Sequence, residues 1–223
     1  MPSELHTETS GSGPTVLFVH GLDSTAAVWR PVIDLLADHT CVAVDLPGHG
    51  RSPTSTDPDD YSRESVLHDL DEIMGSLDGP VVLVGHSLGG YLGMAYALTR
   101  PKALTGLVLV STGPGFRDPA ARERWNDSVR TNAPDYEIEE IAAAVAFHTD
   151  SMVIDRMTEL TLPLALVIGD EDRAYLGAND YMEKKLPHAT RTTVEGARHY
   201  VMRSHPDAVA RAIRSVTSAS QDG

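Results

Sequence analysis

The stretch Val84-Gly85-His86-Ser87-Leu88-Gly89-Gly90 decides how this chain reads. It joins an aliphatic run, 81–85, to an amphipathic one, 88–99, so its Gly-x-Ser-x-Gly core falls where a strand turns into a helix. So sharp a turn strains the backbone of the serine and brings the residues two before and two after it together, and neither can carry a bulky side chain. Gly85 and Gly89 meet that need. Ser87 is then lifted above the sheet at a helix N-terminus, where free N–H groups and the helix dipole favour developing negative charge, as an acyl-transfer nucleophile requires. The competing reading is a glycine-rich turn with a capping serine. His86 adjoins the serine, but the turn directs it elsewhere, into packing or a local hydrogen bond.

Outward from this turn, short aliphatic and β-branched runs recur at 15–19, 41–45, 81–85, 107–111, 164–169 and 192–194, and read as strands buried on both faces. Amphipathic stretches at 25–37, 63–77, 88–99, 177–186 and 206–216 alternate with them as helices. The fold class is therefore α/β, a mainly parallel sheet flanked by helices on both faces, with right-handed crossovers. Residues 5–9 alternate weakly and fit an edge strand. One connection breaks the rhythm. Residues 113–161 lack a strand and read as a short helical lid inserted into a single domain spanning 1–223, with helices at 120–130 and 136–147 punctuated by Pro114, Pro119 and Pro134.

A serine hydroxyl needs a general base, and the base an orienting acid. Among ten histidines, His199 lies in the loop 195–200 between the last strand and the last helix, at the sheet edge that carries Ser87. His205, beside Pro206, is better placed to start the final helix. For the acid, the strand 164–169 runs into Asp170-Glu171-Asp172, again at the edge where open α/β sheets keep their sites, and three carboxylates compete.

Composition narrows the function classes. With 41% hydrophobic and 22% charged residues over 223 positions, the chain suits a globular core rather than disorder. Its formal charge of −14 disfavours nucleic acid and anionic lipid surfaces. One cysteine, Cys41, excludes a disulfide scaffold, and no apolar run reaches the roughly 18 residues of a membrane span. Residues 1–13 show no secretory signal, so the cytoplasm is the expected compartment. The histidines and cysteine show no metal-ligand spacing, and no metal or cofactor is expected.

The order Ser, Asp, His is characteristic of α/β-hydrolases, and the chain resembles that fold superfamily over nearly its whole length. His20-Gly21 resembles the family's oxyanion loop, residues 45–52 (Asp-Leu-Pro-Gly-His-Gly-Arg-Ser) its loop after the next strand, and 85–90 its nucleophile elbow. Gly169-Asp170-Glu171-Asp172 resembles its Gly-x-x-Asp acid loop, which selects Asp172. The resemblance implies an oxyanion hole built from the backbone N–H groups of Leu22 and Leu88, and it makes His20 a loop-fixing residue rather than a proton carrier. Trp29 matches a family position and fits the core equally well. Where the family commonly has glycine before its histidine, Arg198 stands here, near the site or in solvent.

These residues describe a serine hydrolase of small to medium carboxylic esters, with Ser87 as nucleophile, His199 as base and Asp172 as its orienting acid. Thioesterase, lactonase, carbon–carbon hydrolase or lyase, and perhydrolase activities use the same residues, and a slow-turnover ligand receptor is the non-enzyme alternative. A small-molecule ester is the expected partner. Apolar lid residues, Phe116, Trp125 and Phe147 among them, are expected to line an acyl pocket.

Overall fold

The aliphatic runs without a polar face become the middle of a seven-stranded sheet in the computed structural model, which describes residues 5–100 and 104–220. The strands are β1 (Thr7–Ser10), β2 (Thr15–Val19), β3 (Thr40–Val44), β4 (Val81–His86), β5 (Gly106–Val110), β6 (Leu164–Gly169) and β7 (Thr190–Val194). They lie in the order β1-β3-β2-β4-β5-β6-β7. Only β1 runs antiparallel, pairing Thr7 with Val44 and Ser10 with Cys41. The interior strands β2, β4, β5 and β6 are buried at every residue, whereas β1 is exposed at every residue.

Because side chains alternate across a strand, neighbouring residues feed two separate cores. Leu17, Val19, Leu83, Leu107 and Leu109 pack against α2 (Arg63–Gly75) and α3 (Leu88–Thr99), and α6 (Leu176–Lys185) adds Met182 to the same side. Val16, Phe18, Val82, Val84 and Val108 face the other way, onto α1 (Arg30–Ile33), α7 (Val201–Ser204) and α8 (Pro206–Ala219). Between β5 and β6 come α4 (Pro119–Asn132), 3-10 turns at Ala133–Asp135 and Glu140–Ala146, α5 (Met152–Arg156) and a 3-10 turn at Met157–Glu159.

Strand positions agree with the sequence reading to within two residues, but two helices differ. The stretch 25–37 is a 3-10 turn, Ala26–Trp29, passing into the single turn α1. Pro31 has no N–H to continue an α-helical ladder begun upstream. Residues 136–147 hold a seven-residue 3-10 turn rather than an α-helix. There Ala142, Ala143, Val145 and Ala146 are buried, and a Cβ on Gly48 would come 2.5 Å from the Ala142 methyl. Contact with the loop after β3 thus overrides the helical propensity of the alanines.

Candidate active site

Backbone strain gathers at one edge of the sheet. Among the described residues, the non-glycine positions with positive φ are Asp23 (55°), Ser87 (50°) and Ser111 (48°), in the loops leaving β2, β4 and β5, three neighbouring strands. Such conformations cost of order 1–3 kcal/mol each and persist only where surroundings hold them. At Ser87 the restraints are visible: its N–H donates to Val110 O at 3.0 Å, and its carbonyl accepts from Thr112 Oγ1 at 2.6 Å. Thr112 is itself held through its carbonyl by Asn179 Nδ2 at 2.9 Å. A Cβ on Gly85 would overlap the Gly89 carbonyl, and one on Gly89 would overlap the Val19 carbonyl, so the elbow closes only with glycine on both sides.

The loop after β2 is tied to the loop after β3 by His20, which is fully buried. Its Nε2 accepts from Leu46 N–H at 2.9 Å and its Nδ1 faces Gly21 O at 2.7 Å, a pairing that needs the neutral ring. Burial, reinforced by nearby His49, pulls its pKa to about 3. Asp45 braces the same region, accepting from Ala26 N–H at 2.6 Å and Arg51 N–H at 2.9 Å. Beyond His20 and Gly21, the N–H groups of Leu22 and Leu88 have no hydrogen-bond partner among the described residues, and both leucines line the cavity that contains Ser87.

Of the three acid-loop carboxylates, Asp172 meets the histidine: its Oδ2 accepts from His199 Nδ1 at 2.9 Å, and it is buried while the imidazole is partly exposed. Asp170 accepts from Gly196 N–H at 2.8 Å, a loop brace, and Glu171 pairs with Arg198 at 3.1 Å. Arg198 is 85% exposed and points to solvent. His205 caps α8. His86 turns from the cavity and donates from Nε2 to His199 O at 3.1 Å, its ring 4.7 Å from that of His199. The loop bearing His199 is thus fastened to the residue preceding Ser87.

The cavity over Ser87 has a volume of about 190 Å³. Phe116 and Trp125 line it; Phe147 does not, and lies instead beneath the Arg130 guanidinium, 4.8 Å from the ring centroid. The expectation for Phe147 assumed helical spacing, which the 3-10 turn before it removes. Three further lining residues lie outside the sequence reading: Tyr175, Tyr91 and His148. The Tyr175 ring stacks on His199 at 4.9 Å and 24°, and its phenol, pushed up by burial, interacts with the Ser87 side chain. Its position three residues after Asp172 was the only available hint. Among the described residues, no group of three or more His, Cys, Asp or Glu is placed to hold a metal ion, and no helix is long and apolar enough to cross a membrane.

The model of the alpha/beta hydrolase family matches residues 16–212, which include the elbow, the acid loop and His199. The chain belongs to the alpha/beta hydrolase family. As a family member it is 36% identical over 135 residues to the lipase LipV of Mycobacterium tuberculosis, a match covering 60% of this chain and 50% of that protein. It is 33% identical over 117 residues to a pimeloyl-[acyl-carrier protein] methyl ester esterase of Shewanella woodyi, covering 52% and 43% respectively. These matches thus span half or less of the curated relatives' own lengths. The fold extends further: a thermophilic esterase from Thermogutta terrifontis superposes with a TM-score of 0.83 over 97% of this chain and 93% of that one, at 23% identity.

Proposed function

We propose that this hydrolase cleaves small to medium carboxylic esters through an acyl-enzyme formed on Ser87. The observation that carries the reading is the Asp172–His199 hydrogen bond, made at the same sheet edge as the strained Ser87 elbow. Ser87 Oγ attacks the ester carbonyl and passes its proton to His199 Nε2, while the carbonyl electron pair moves onto oxygen, which the N–H groups of Leu22 and Leu88 bind. Collapse breaks the carbon–oxygen bond, and His199 returns the proton to the departing alcohol. Water then repeats the sequence on the acyl-enzyme and releases the acid. Asp172 holds the imidazole with Nδ1 as donor and stabilises its charged form.

The esterase and lipase relatives support ester cleavage. Cavity size supports a small to medium acyl group, since about 190 Å³ lies below the roughly 300–1,000 Å³ of pockets for drug-sized ligands. The test is hydrolysis of aryl esters of increasing acyl length beside acyl thioesters and lactones, with fluorophosphonate labelling. Aryl esters of short acids are expected to turn over fastest, and Ser87→Ala to lose labelling and about 10⁶ in kcat. Thioesters or lactones turning over faster than every ester would overturn the ester assignment. Labelling that persists in Ser87→Ala would overturn the nucleophile.

A further inference from the structure

The cavity wall is mostly apolar, yet the insertion places an imidazole in it. His148 follows the 3-10 turn Glu140–Ala146, and its backbone is clamped twice by buried Asn126: its N–H donates to Asn126 Oδ1 at 2.9 Å and its carbonyl accepts from Asn126 Nδ2 at 3.1 Å. Its ring meets Tyr91, Phe116 and Trp125 edge-on, at centroid distances of 4.3, 5.4 and 5.9 Å. So many restraints on a side chain with no bonded partner for its ring mark it as prearranged for a ligand.

The two ring nitrogens differ. Nδ1 is buried without a partner against Gly115, where a Cβ would come within 2.9 Å of it. Nε2 has no partner among the described residues and is not enclosed, so it is the nitrogen that opens to the cavity. The ring is neutral, because burial, and after it the Arg63 charge, pulls its pKa to about 4. A neutral imidazole carries one proton. On Nδ1 it would face the Gly115 backbone with no acceptor; on Nε2 it faces the cavity.

Charge around the ring narrows the ligand. Arg63 is held by Asp150 through two bonds of 2.8 and 2.7 Å and by Glu64 at 2.6 Å, so one guanidinium sits between two carboxylates. With Arg122 also acting on the ring the surrounding charges balance, and the Arg63 donors, already taken up by Asp150, Glu64 and Tyr91, leave an anionic acyl chain no free ion partner there. A plain alkyl chain would leave the Nε2 proton buried and unpaired.

We propose that His148 is a specificity-determining residue that selects acyl chains bearing a neutral hydrogen-bond acceptor, a keto or amide carbonyl, by donating to it from Nε2. The proposal rests on the ester-hydrolase reading and adds the substrate class. The acyl group it describes is short, since the cavity limits it, and carries its carbonyl beyond the scissile one.

The test uses matched 4-nitrophenyl esters differing by oxygen for methyl: 4-oxopentanoate against 4-methylpentanoate, and 5-oxohexanoate against 5-methylhexanoate. The ratio of kcat/KM, keto over methyl, is read within each protein, so intrinsic ester reactivity and any change in absolute rate cancel when proteins are compared. His148→Phe keeps an aromatic ring and removes the donor; His148→Gln keeps an amide donor. For at least one pair the wild-type ratio is expected to exceed that of His148→Phe about tenfold or more, with His148→Gln between them. Equal ratios in wild type and His148→Phe for both pairs would overturn the proposal, as would a hemisuccinate ester that depends on His148 more than the keto esters do. Binding of 4-oxopentanamide and 4-methylpentanamide, followed by Trp125 fluorescence, separates the two levels of inference. If no ester turns over but the keto amide binds more tightly and loses that advantage in His148→Phe, the pocket assignment stands and the hydrolase reading falls. Equal binding of the two amides in both proteins would count against the pocket assignment itself.

Discussion

The loops leaving β2 and β4, braced by the loop leaving β3, and the insertion between β5 and β6 border the same cavity but are specified by different physics. In the first region backbone sterics dominate: Gly85 and Gly89 are required by overlaps with carbonyl groups, and His20 and Asp45 bond to main-chain N–H groups. Few residue types satisfy such constraints, so they leave a readable pattern. In the insertion, side chains pack on side chains, as where His148 meets the rings of Tyr91, Phe116 and Trp125. Many sequences could build such a wall, so its chemistry belongs to this chain.

The comparison breaks most sharply in the acid loop, where pattern alone chose between two aspartates. Asp172→Asn is expected to lower kcat by about 10⁴ through the wrong imidazole tautomer. Asp170→Asn, which touches only the Gly196 brace, should stay close to wild type. Steady-state kinetics of the pair decides it, and a larger loss in Asp170→Asn would reverse the assignment.

Acid stability sharpens the contrast. His20, His49 and His86 in the first region and His148 in the insertion all have lowered pKa values, chiefly through burial. On unfolding each returns to its ordinary 6.5. The unfolded chain then binds more protons below that value, so stability falls as pH drops from 6.5 and is recovered on raising it. Each histidine contributes a slope of about 1.4 kcal/mol per pH unit between its two pKa values, and for His148 that window closes at about 4. Urea midpoints at pH 7, 6 and 5 should therefore decline, with His148→Phe removing only a minor share of the slope. A flat profile would mean that the buried rings are reached by water.

The smallest effect is expected at Asn126, which spans α4 and the His148 backbone. Asn126→Ala should cost about 1–3 kcal/mol in chemical denaturation and flatten acyl-length preference without abolishing fluorophosphonate labelling. Loss of labelling would show that the insertion also shapes the elbow, to which it is tied through Asp23, whose Oδ1 accepts from Glu137 N–H at 2.8 Å.

The sheet, the elbow and the acid loop were legible because burial on both faces and a strained turn restrict the choice of residues locally. The stretch 25–37 was misread because a proline one turn in, Pro31, is compatible with a helix start and gives no warning of the 3-10 turn before it. Phe147 was misplaced for a related reason: a run rich in alanine implies α-helical spacing, and only contact with Gly48 shows otherwise. Tyr175, Tyr91 and His148 were invisible because their roles depend on neighbours distant in sequence. For Tyr91 and His148 those neighbours lie 57 positions apart.

The outer strands bear on how this sheet meets other chains. At one end β1 is four residues long, exposed throughout, with Glu8 reaching Arg51 and Arg30; at the other, β7 carries Arg191, which Asp180 and Glu183 hold. Short, polar, charge-bearing borders are poor templates for adding a strand. A sheet whose interior is almost wholly aliphatic is thereby guarded at its margins against growing into a neighbour, and crowding or overexpression should favour contacts through the helical faces over edge-to-edge aggregation.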